Sequence, residues 1–390
     1  MTKFAPESKI YLSKRKLKTS MLTNTDTYNN RTNRDSLKTE WIVLVVLIFM
    51  AAAVMGWSYF YFKKIAPAVV TEKTAIDSDD PAIWINPADP SKSLIIGTDK
   101  GKNDGSRTGS LFVFDLDGKI QQQLTVKHLK RPNNVDVEYG FAFGDSLIDI
   151  AVCTERYANE IRVFRLPDMQ NIDGEGIKVF EGEKPTKRLP MGIGLYKRPH
   201  DGAIFAIVSR KDGESGSYLW QYQLIEENGQ VVGKKVREFG EFFDHDGEIE
   251  AVAVDDELGY VYYSDEYFGV RKYHADPDHP DAAMQLGVLA TEHYRRDREG
   301  IAVIAPPGKP GYIVVSDQQA NLFHFYPREG APENMHYQPR IKTVRLSTKQ
   351  TDGIDATHVA LGSRFPNGLF VAMSDNRTFQ FYDLADLLNN

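Results

Sequence analysis

Residues 299–318, EGIAVIAPPGKPGYIVVSDQ, and residues 250–266, EAVAVDDELGYVYYSDE, have the same layout. Each begins with an acidic residue, continues through an alternating apolar segment and a turn before Gly-Tyr, and ends with a second apolar segment and Ser-Asp. Alternating apolar and polar residues on either side of turn residues predict two β-strands joined by a tight connection. The pair therefore indicates an internal repeat.

The same unit recurs six times along the chain. The copies span 80–100, 134–156, 191–211, 250–266, 299–318 and 352–376, and their starts lie 54, 57, 59, 49 and 53 residues apart. Most copies are followed by a third strand-like segment, such as 110–116, and a fourth, such as 119–126. Four strands per unit of about fifty residues is typical of a propeller blade, and two packed sandwiches would not repeat six times. We therefore predict an all-β fold, a six-bladed β-propeller over 66–390, whose ring is closed by residues 66–75.

The segment ahead of the repeats has a different character. Residues 41–62, WIVLVVLIFMAAAVMGWSYFYF, contain no charged residue and are long enough to span a bilayer as a helix. Residues 1–40 hold nine Lys/Arg and four Asp/Glu, and this basic surplus predicts a cytoplasmic N-terminus. We interpret 1–40 as a disordered cytoplasmic tail and 41–62 as one transmembrane helix. The predicted molecule is a single-pass membrane protein whose propeller is periplasmic or extracellular.

Composition argues against several functions. The chain carries a formal net charge of −7 although its N-terminal segment is basic, so the propeller region is strongly acidic. Such a surface binds nucleic acid poorly and can host divalent cations. The single cysteine, Cys153, excludes an internal disulfide, and its strand-like surroundings predict an inert buried thiol. The sequence contains neither a G-x-S-x-G motif nor a P-loop, which argues against serine-hydrolase and NTPase chemistry. We expect a monomer that binds no nucleic acid.

The repeat brings polar residues from distant parts of the sequence to one end of the predicted ring. The first strand of a blade is innermost, so the loops that enter it and that follow the second strand open on one face. The copies begin at Asp80, Asn134 (with Asn133 and Asp136), Met191, Glu250, Glu299 (with Asp297) and Asp352 (with Asp355). They end at Lys100, Arg156, Lys211, Glu266, Gln318 and Asn376. Blades one to three thus supply three cations, and blades four to six supply mainly carboxylates and amides.

The two halves of this ring predict different ligands. Carboxylate and amide oxygens without His or Cys favour Ca²⁺. Three separated cations suit phosphate oxygens, and a metal beside a phosphate can polarise it and acidify an attacking water. The alternative is that turn positions collect Asp and Asn for conformational reasons and that the charges are simply solvated.

Several motifs resemble those of the β-propeller phytases. They are SDDPAIWINP (78–87), NNVDV (133–137), RDREGIAV (296–303), VVSDQ (314–318) and TDGID (351–355), and the resemblance extends in register over 72–390. It implies a six-bladed propeller and Ca²⁺-dependent hydrolysis of the phosphomonoesters of inositol phosphates. In this family a metal-activated water attacks directly and no phosphoenzyme forms.

The resemblance also implies roles for individual residues. Calcium ligands would be Asp79, Asp80, Asn134, Asp136, Glu250, Glu266, Asp297, Glu299, Gln318 and Asp352. Catalytic residues would be Lys100, Arg156, Lys211, Glu266 and Asp297. Substrate contacts would come from Lys100, Lys102, Arg156, Lys211 and Asp212.

The chain departs from the family pattern at three places. Gly101 replaces the second of two paired lysines, with Lys102 one position later, and Met191 stands where the family has a substrate-contacting tyrosine. Residues 345–350, RLSTKQ, replace an acid-rich segment. Metal binding is expected to be largely retained, while the phosphate-binding side is thinned.

Two alternatives to a phytase-like enzyme stay open at this point. The substitutions at positions 101 and 191 support a non-catalytic or altered-specificity propeller that binds a phosphorylated ligand or a protein partner at the cell surface. A propeller lactonase with a central metal ion is a further possibility, although it gives the basic half of the ring no purpose.

Overall fold

The computed structural model describes residues 38–53, 64–103, 108–213, 216–241 and 247–389. The chain divides into two compact units, Met1–Tyr61 and Phe62–Asn390. In the first unit, residues 38–53 form an α-helix with exposed side chains. Within the described ranges, no helix combines the length and the apolar character needed to cross a membrane. Residues 54–62 of the predicted span and 1–37 of the predicted tail lie outside the described residues.

The second unit is built from six β-sheets, which are the predicted blades in chain order. Blade one contains Ser78–Trp84, Leu94–Asp99, Gly109–Phe114 and Val126–Leu129. Blade two contains Pro132–Phe143, Ser146–Glu155 and Glu160–Leu166, with Gln170–Asn171 and Ile177–Lys178 both paired to its third strand. Blade three contains Pro190–Lys197, Ile204–Arg210, Leu219–Glu227 and Gln230–Phe239.

The remaining blades follow the same antiparallel order. Blade four contains Val252–Asp255, Tyr260–Asp265, Gly269–His274 and Gly287–Leu289. Blade five contains Arg298–Ile304, Tyr312–Asp317, Leu322–Pro327 and Lys342–Leu346. Blade six contains Ile354–Thr357, Leu369–Ser374 and Thr378–Asp383. Short 3₁₀-helices occur at Pro90–Lys92, Gln122–Leu124, Arg156–Ala158 and Pro185–Lys187, and one α-helix occurs at Leu384–Leu388.

The ring is closed by the start of the propeller segment, as the sequence predicts. Val69–Val70 pairs antiparallel with the third strand of blade six, with Val69 opposite Phe381, and so completes that blade. Lys64–Ile65 pairs in parallel with the outer strand of blade five. This second closing contact was not predicted. The two short strands thus cover part of the outer edges of blades five and six, and the pairing with blade six joins the start of the propeller segment to its last strand.

The hydrophobic core lies between neighbouring blades rather than in one central mass. Each of six buried clusters draws its residues mainly from two adjacent blades, such as Phe205 of blade three with Val261 of blade four. Cys153 is fully buried in the cluster between blades one and two, and burial raises the pKa of its thiol. The prediction of an inert thiol is consistent with this position.

The second strand of each blade ends in a trio of residues with a structural role, which begins with Ser or Thr and continues with Asp in blades one, four, five and six, Glu in blade two and Arg in blade three. The hydroxyl at its first position donates to a backbone carbonyl of the next blade in blades one to five, for example Thr154 Oγ1 to Met191 O at 2.8 Å. The residue at its second position is tied down near its own blade, as where Asp99 accepts hydrogen bonds from Ile76 N at 2.7 Å and Gly101 N at 2.8 Å. The third residue of each trio is the position that contributes the candidate site residues, and it differs from blade to blade.

Candidate functional site

The basic half of the site follows the second strands of blades one to three. Lys100 lies with its Nζ 2.8 Å from Asp79 Oδ1 and 3.7 Å from Asp352 Oδ2. Burial opposes its charge, but Asp79 and the nearby acids outweigh that effect and raise the pKa of Lys100. The three side chains join blade one to blade six across the ring closure. The structure therefore brings together one predicted phosphate contact and two predicted metal ligands.

The other two cations also reach carboxylates on the acidic half. Arg156 Nη2 lies 3.2 Å from Glu250 Oε1, and Lys211 Nζ contacts Glu248 Oε1. Burial, and then the positive charge of Arg156, lower the pKa of Lys211. The predicted separation into a basic and an acidic half is thus present, and ion pairs connect the two halves.

Three glutamates form the densest carboxylate group. Single oxygens of Glu248, Glu250 and Glu266 lie within 4.8 Å of one another. Glu266 Oε2 accepts a hydrogen bond from Glu248 N at 2.8 Å. Burial, followed by the charges of Glu250 and Asp297, raises the pKa of Glu266 to about 8. Carboxylates placed this closely repel one another unless a proton or a cation neutralises them.

Glu299 lies deeper and carries an unused oxygen. The residue is only 4% exposed, and its Oε2 has no hydrogen-bond partner. Burial, and then the charge of Glu250, raise the pKa of Glu299 well above its usual range. A carboxylate in this position is either protonated or neutralised by a cation.

Amide side chains extend the acidic half toward blade six. Gln318 Nε2 donates to Asp352 Oδ1, and Gln319 Nε2 donates to Asp297 Oδ2. The backbone N–H of Asp297 in turn donates to Gln319 Oε1 at 2.8 Å. Asp297 Oδ1 is buried without a hydrogen-bond partner, although Arg296 Nε lies 3.5 Å away.

Three predicted metal ligands lie along the central channel instead. Asp80 Oδ2 accepts from Val135 N at 3.1 Å, and Asp136 Oδ2 accepts from Leu195 N at 2.7 Å, so each joins its blade to the next. Asn134 also lines this channel, and its Oδ1 is buried and unpartnered. Burial raises the pKa of Asp136 to about 8. The channel cavity has a volume of about 110 Å³.

Two predicted substrate contacts have other neighbours. Asp212 is half-exposed and pairs with Lys187. Lys102 lines a separate cavity beside Asp99, Lys127 and His128. Among the described residues, no ion pair joins either side chain to the ring carboxylates.

The turn at Gly101 explains the displacement of Lys102. Gly101 has a φ of +71°, and a Cβ at this position would lie 1.6 Å from the backbone oxygen of Thr108. A side chain is excluded there because both the left-handed conformation and the backbone contact require glycine. The paired lysine of the family pattern therefore cannot be accommodated in this turn.

Met191 is a second position at which the chain departs from the family pattern. Its side chain is fully buried at the start of blade three, and its carbonyl accepts the hydroxyl of Thr154. A thioether in this place offers packing and no hydrogen bond to a phosphate.

Sequence reasoning missed three residues at the site, namely Glu248, Gln319 and Arg131. Each lies one or a few residues outside the repeated positions, in a loop that differs from blade to blade. The acidic pair in GEIE (247–250) was the available signal for Glu248.

The oxygen-rich donor set suits a hard cation. In the described part of the chain, the Glu248–Glu250–Glu266 group is the one place where three or more metal-ligating side chains converge. All three donors are carboxylates, and buried oxygens of Glu299 and Asp297 that accept no hydrogen bond lie in the same half. Such donors match Ca²⁺ better than Zn²⁺.

Comparison with known proteins gives a consistent result. A family model described as Phytase matches residues 40–381. A 3-phytase of Bacillus subtilis (strain 168) is 32% identical over 305 residues, which cover 76% of this chain and 74% of that protein. A solved structure, described as the structure of the Dos1 propeller, aligns over 79% of this chain and 68% of its own with a TM-score of 0.40 and 11% identity.

Proposed function

Because the chain belongs to the phytase family and is a phosphatase, we propose that it hydrolyses phosphomonoesters of inositol phosphates in a calcium-dependent reaction. The observation that carries the proposal is the contact between the two halves of the ring. Each of the three basic residues of blades one to three is paired with a carboxylate of the candidate metal site.

These ion pairs prepare the site for two ligands of opposite charge. A cation taken up by Asp79, Glu250 and Glu248 would release Lys100, Arg156 and Lys211 from their present partners. The freed ammonium and guanidinium groups would then bind phosphate oxygens, with Arg156 suited to two parallel hydrogen bonds. Metal binding and phosphate binding are therefore expected to support each other.

The acidic half would hold the calcium through Glu248, Glu250, Glu266, Glu299 and Asp297, with Asp79, Gln318 and Asp352 completing the rim. When bound, the metal would offset the repulsion among these carboxylates, polarise the phosphoryl group and acidify a nearby water.

The side chains themselves supply orientation and proton transfer. Lys100, Arg156 and Lys211 fix the phosphate and stabilise the charge that develops on its oxygens. Glu266 and Asp297 face the same region from the acidic half, where a carboxylate can accept the proton of the attacking water.

Direct attack by water is favoured over a covalent intermediate. Within the described residues, the carboxylate–cation ring includes no cysteine or histidine side chain, and Cys153 is buried in the core with a raised pKa. We therefore propose a single displacement of the alcohol by water.

The structure also favours an altered preference among phosphoesters as the second candidate. The turn at Gly101 excludes the second lysine, and buried Met191 offers no hydrogen bond. Both changes remove contacts to phosphate that the family pattern implies. The loss of these contacts would weaken the binding of a smaller phosphoester less than the binding of phytate.

Membrane attachment stays a prediction. We propose that residues 41–62 anchor an outward-facing monomeric propeller, on the basis of their uncharged sequence and the basic segment before them. Extraction of membranes with alkaline carbonate, and protease treatment of spheroplasts, in which the outer face of the inner membrane is accessible, would test it. Release of the protein by carbonate, or protection of the propeller from external protease, would contradict the proposal.

The activity is tested by phosphate release from phytate and from simple phosphomonoesters, with calcium and with EGTA. We expect release in calcium and at least a tenfold loss in EGTA. No release from any ester in calcium would contradict an enzymatic role, and ligand binding without turnover would favour a binding protein.

A further inference from the structure

Arg131 is a buried cation to which the described residues supply no counterion. The residue is 9% exposed, and neither Nε nor Nη1 has a hydrogen-bond partner. An unpaired charge in such a place is costly because the lost hydration is not replaced.

Other buried arginines in the described ranges are satisfied differently. Arg156, Arg210, Arg271 and Arg328 pair with Glu250, Glu183, Asp265 and Asp255. Arg237 and Arg298 lack a carboxylate but donate to backbone carbonyls, which Arg237 reaches at Ala282 O (2.7 Å) and His274 O (2.9 Å). Arg131 has neither kind of partner.

The backbone places Arg131 beside the basic half of the ring. It lies between the last strand of blade one and the first strand of blade two, and its carbonyl accepts a hydrogen bond from Arg156 N at 3.1 Å. Its φ of 64° is held by a hydrogen bond from its own N–H to Leu129 O at 3.0 Å. Its charge also reaches the ring, because it adds to the effects of burial and of Arg156 in lowering the pKa of Lys211.

We propose that Arg131 is a fourth phosphate-binding residue of this site, and that it contacts a phosphate oxygen of the substrate or of released phosphate. The identity of the substrate in this proposal rests on the proposed function, whereas the position of Arg131 does not. A guanidinium group without a protein partner is free to form hydrogen bonds to a phosphate, and the phosphate supplies the missing counterion.

The pairing pattern gives Arg131 a distinct role. Without calcium, Lys100, Arg156 and Lys211 are held by carboxylates, whereas Arg131 has no protein partner to exchange. Arg131 should therefore contribute to phosphate affinity in the absence as well as in the presence of calcium.

The test is calorimetric titration of inorganic phosphate into the full-length protein, in EGTA and in calcium, for Arg131→Gln and for the control Arg237→Gln. We expect Arg131→Gln to weaken phosphate binding about tenfold or more in both conditions, the size of a charge-assisted contact. Arg237→Gln should leave the affinity unchanged. Equal phosphate affinity in Arg131→Gln and the wild type would overturn the proposal.

Thermal unfolding without phosphate separates binding from a structural role. Removal of an uncompensated buried charge should leave the melting temperature of Arg131→Gln unchanged or raise it, whereas Arg237→Gln should lose three hydrogen bonds and melt lower. A drop in melting temperature for Arg131→Gln with unchanged phosphate affinity would assign a structural role instead.

Steady-state kinetics distinguishes this inference from the proposed function. For Arg131→Gln we expect KM for phosphomonoesters to rise with a smaller change in kcat. A wild type that binds phosphate through Arg131 but hydrolyses no ester would refute only the function. Normal hydrolysis with an unchanged KM in the variant would refute only the role of Arg131.

Discussion

Replacement of Glu299 by glutamine should have opposite effects with and without calcium. Without the metal, burial and neighbouring acids raise the pKa of Glu299 well above its ordinary value of 4.5. For a group with a raised folded-state pKa, the stability present below pH 4.5 is lost as pH rises toward the folded value. At pH 7 the wild-type protein therefore carries the cost of a buried carboxyl oxygen without a hydrogen-bond partner, about 1–3 kcal/mol.

Glutamine has nearly the same shape and never ionises, so it avoids this loss. We expect the free energy of unfolding in EGTA at pH 7 to rise by about 1–3 kcal/mol. A unit of about 330 residues has an unfolding entropy of about 0.7 kcal/mol per kelvin, so the melting temperature should rise by about 1–4 °C. The gain should disappear well below pH 4.5, where the wild-type carboxyl is protonated in both the folded and the unfolded state.

In calcium the wild type should have a higher melting temperature than Glu299→Gln, the reverse of the order in EGTA. The wild-type carboxylate is then neutralised by the cation, whereas the variant has lost an oxygen donor. A hundredfold weaker affinity would remove about 2.7 kcal/mol of calcium-induced stabilisation. The assay is scanning calorimetry in EGTA and in millimolar calcium, with exposed Glu333→Gln as the control. Shifts of the same sign in both conditions, or no shift in either, would refute a cation site at Glu299.

Further changes test other parts of the account. Arg156→Ala and Glu266→Ala should each lower kcat/KM for phosphate release by more than tenfold, and normal turnover in both would place the site elsewhere. Gly101→Ala should lower the free energy of unfolding by more than about 1 kcal/mol because its Cβ would meet backbone, and an unchanged melting temperature would contradict the rigid turn. Thr154→Val should cost about 1–3 kcal/mol in urea unfolding because the carbonyl of Met191 loses its donor, and a neutral result would remove the proposed link between blades.

The blade pattern was readable from the sequence because each blade repeats the same physical requirements. A strand pair recurs about every fifty residues, with a hydroxyl directed at the next blade in blades one to five and, except for Arg210 in blade three, an acid after that hydroxyl. The closing strand could be predicted too, because the last unit lacks a fourth strand and the chain before the first unit is free to supply it. The pairing of Lys64–Ile65 with blade five was not predictable, since two residues carry no periodic signal.

The candidate site was only partly predictable for a related reason. Lys100, Arg156, Lys211 and Glu266 end repeated units, so the repeat itself locates them. Glu248 and Arg131 lie in connecting loops whose lengths vary. Only the folded ring shows that Glu248 joins the carboxylate group and that the backbone of Arg131 contacts that of Arg156. The displacement of Lys102 likewise depends on the conformation of Gly101, which the sequence alone does not reveal.

The central claim is that one ring binds calcium and phosphate together. It is tested most directly by measuring the affinity for inorganic phosphate with and without calcium, and the affinity for calcium with and without phosphate. We predict that each ligand tightens the binding of the other by the same factor, of about tenfold or more. The reason is that the carboxylates that would bind calcium and the cations that would bind phosphate are held in the same ion pairs. Independent binding, with neither affinity changed by the other ligand, would contradict the account.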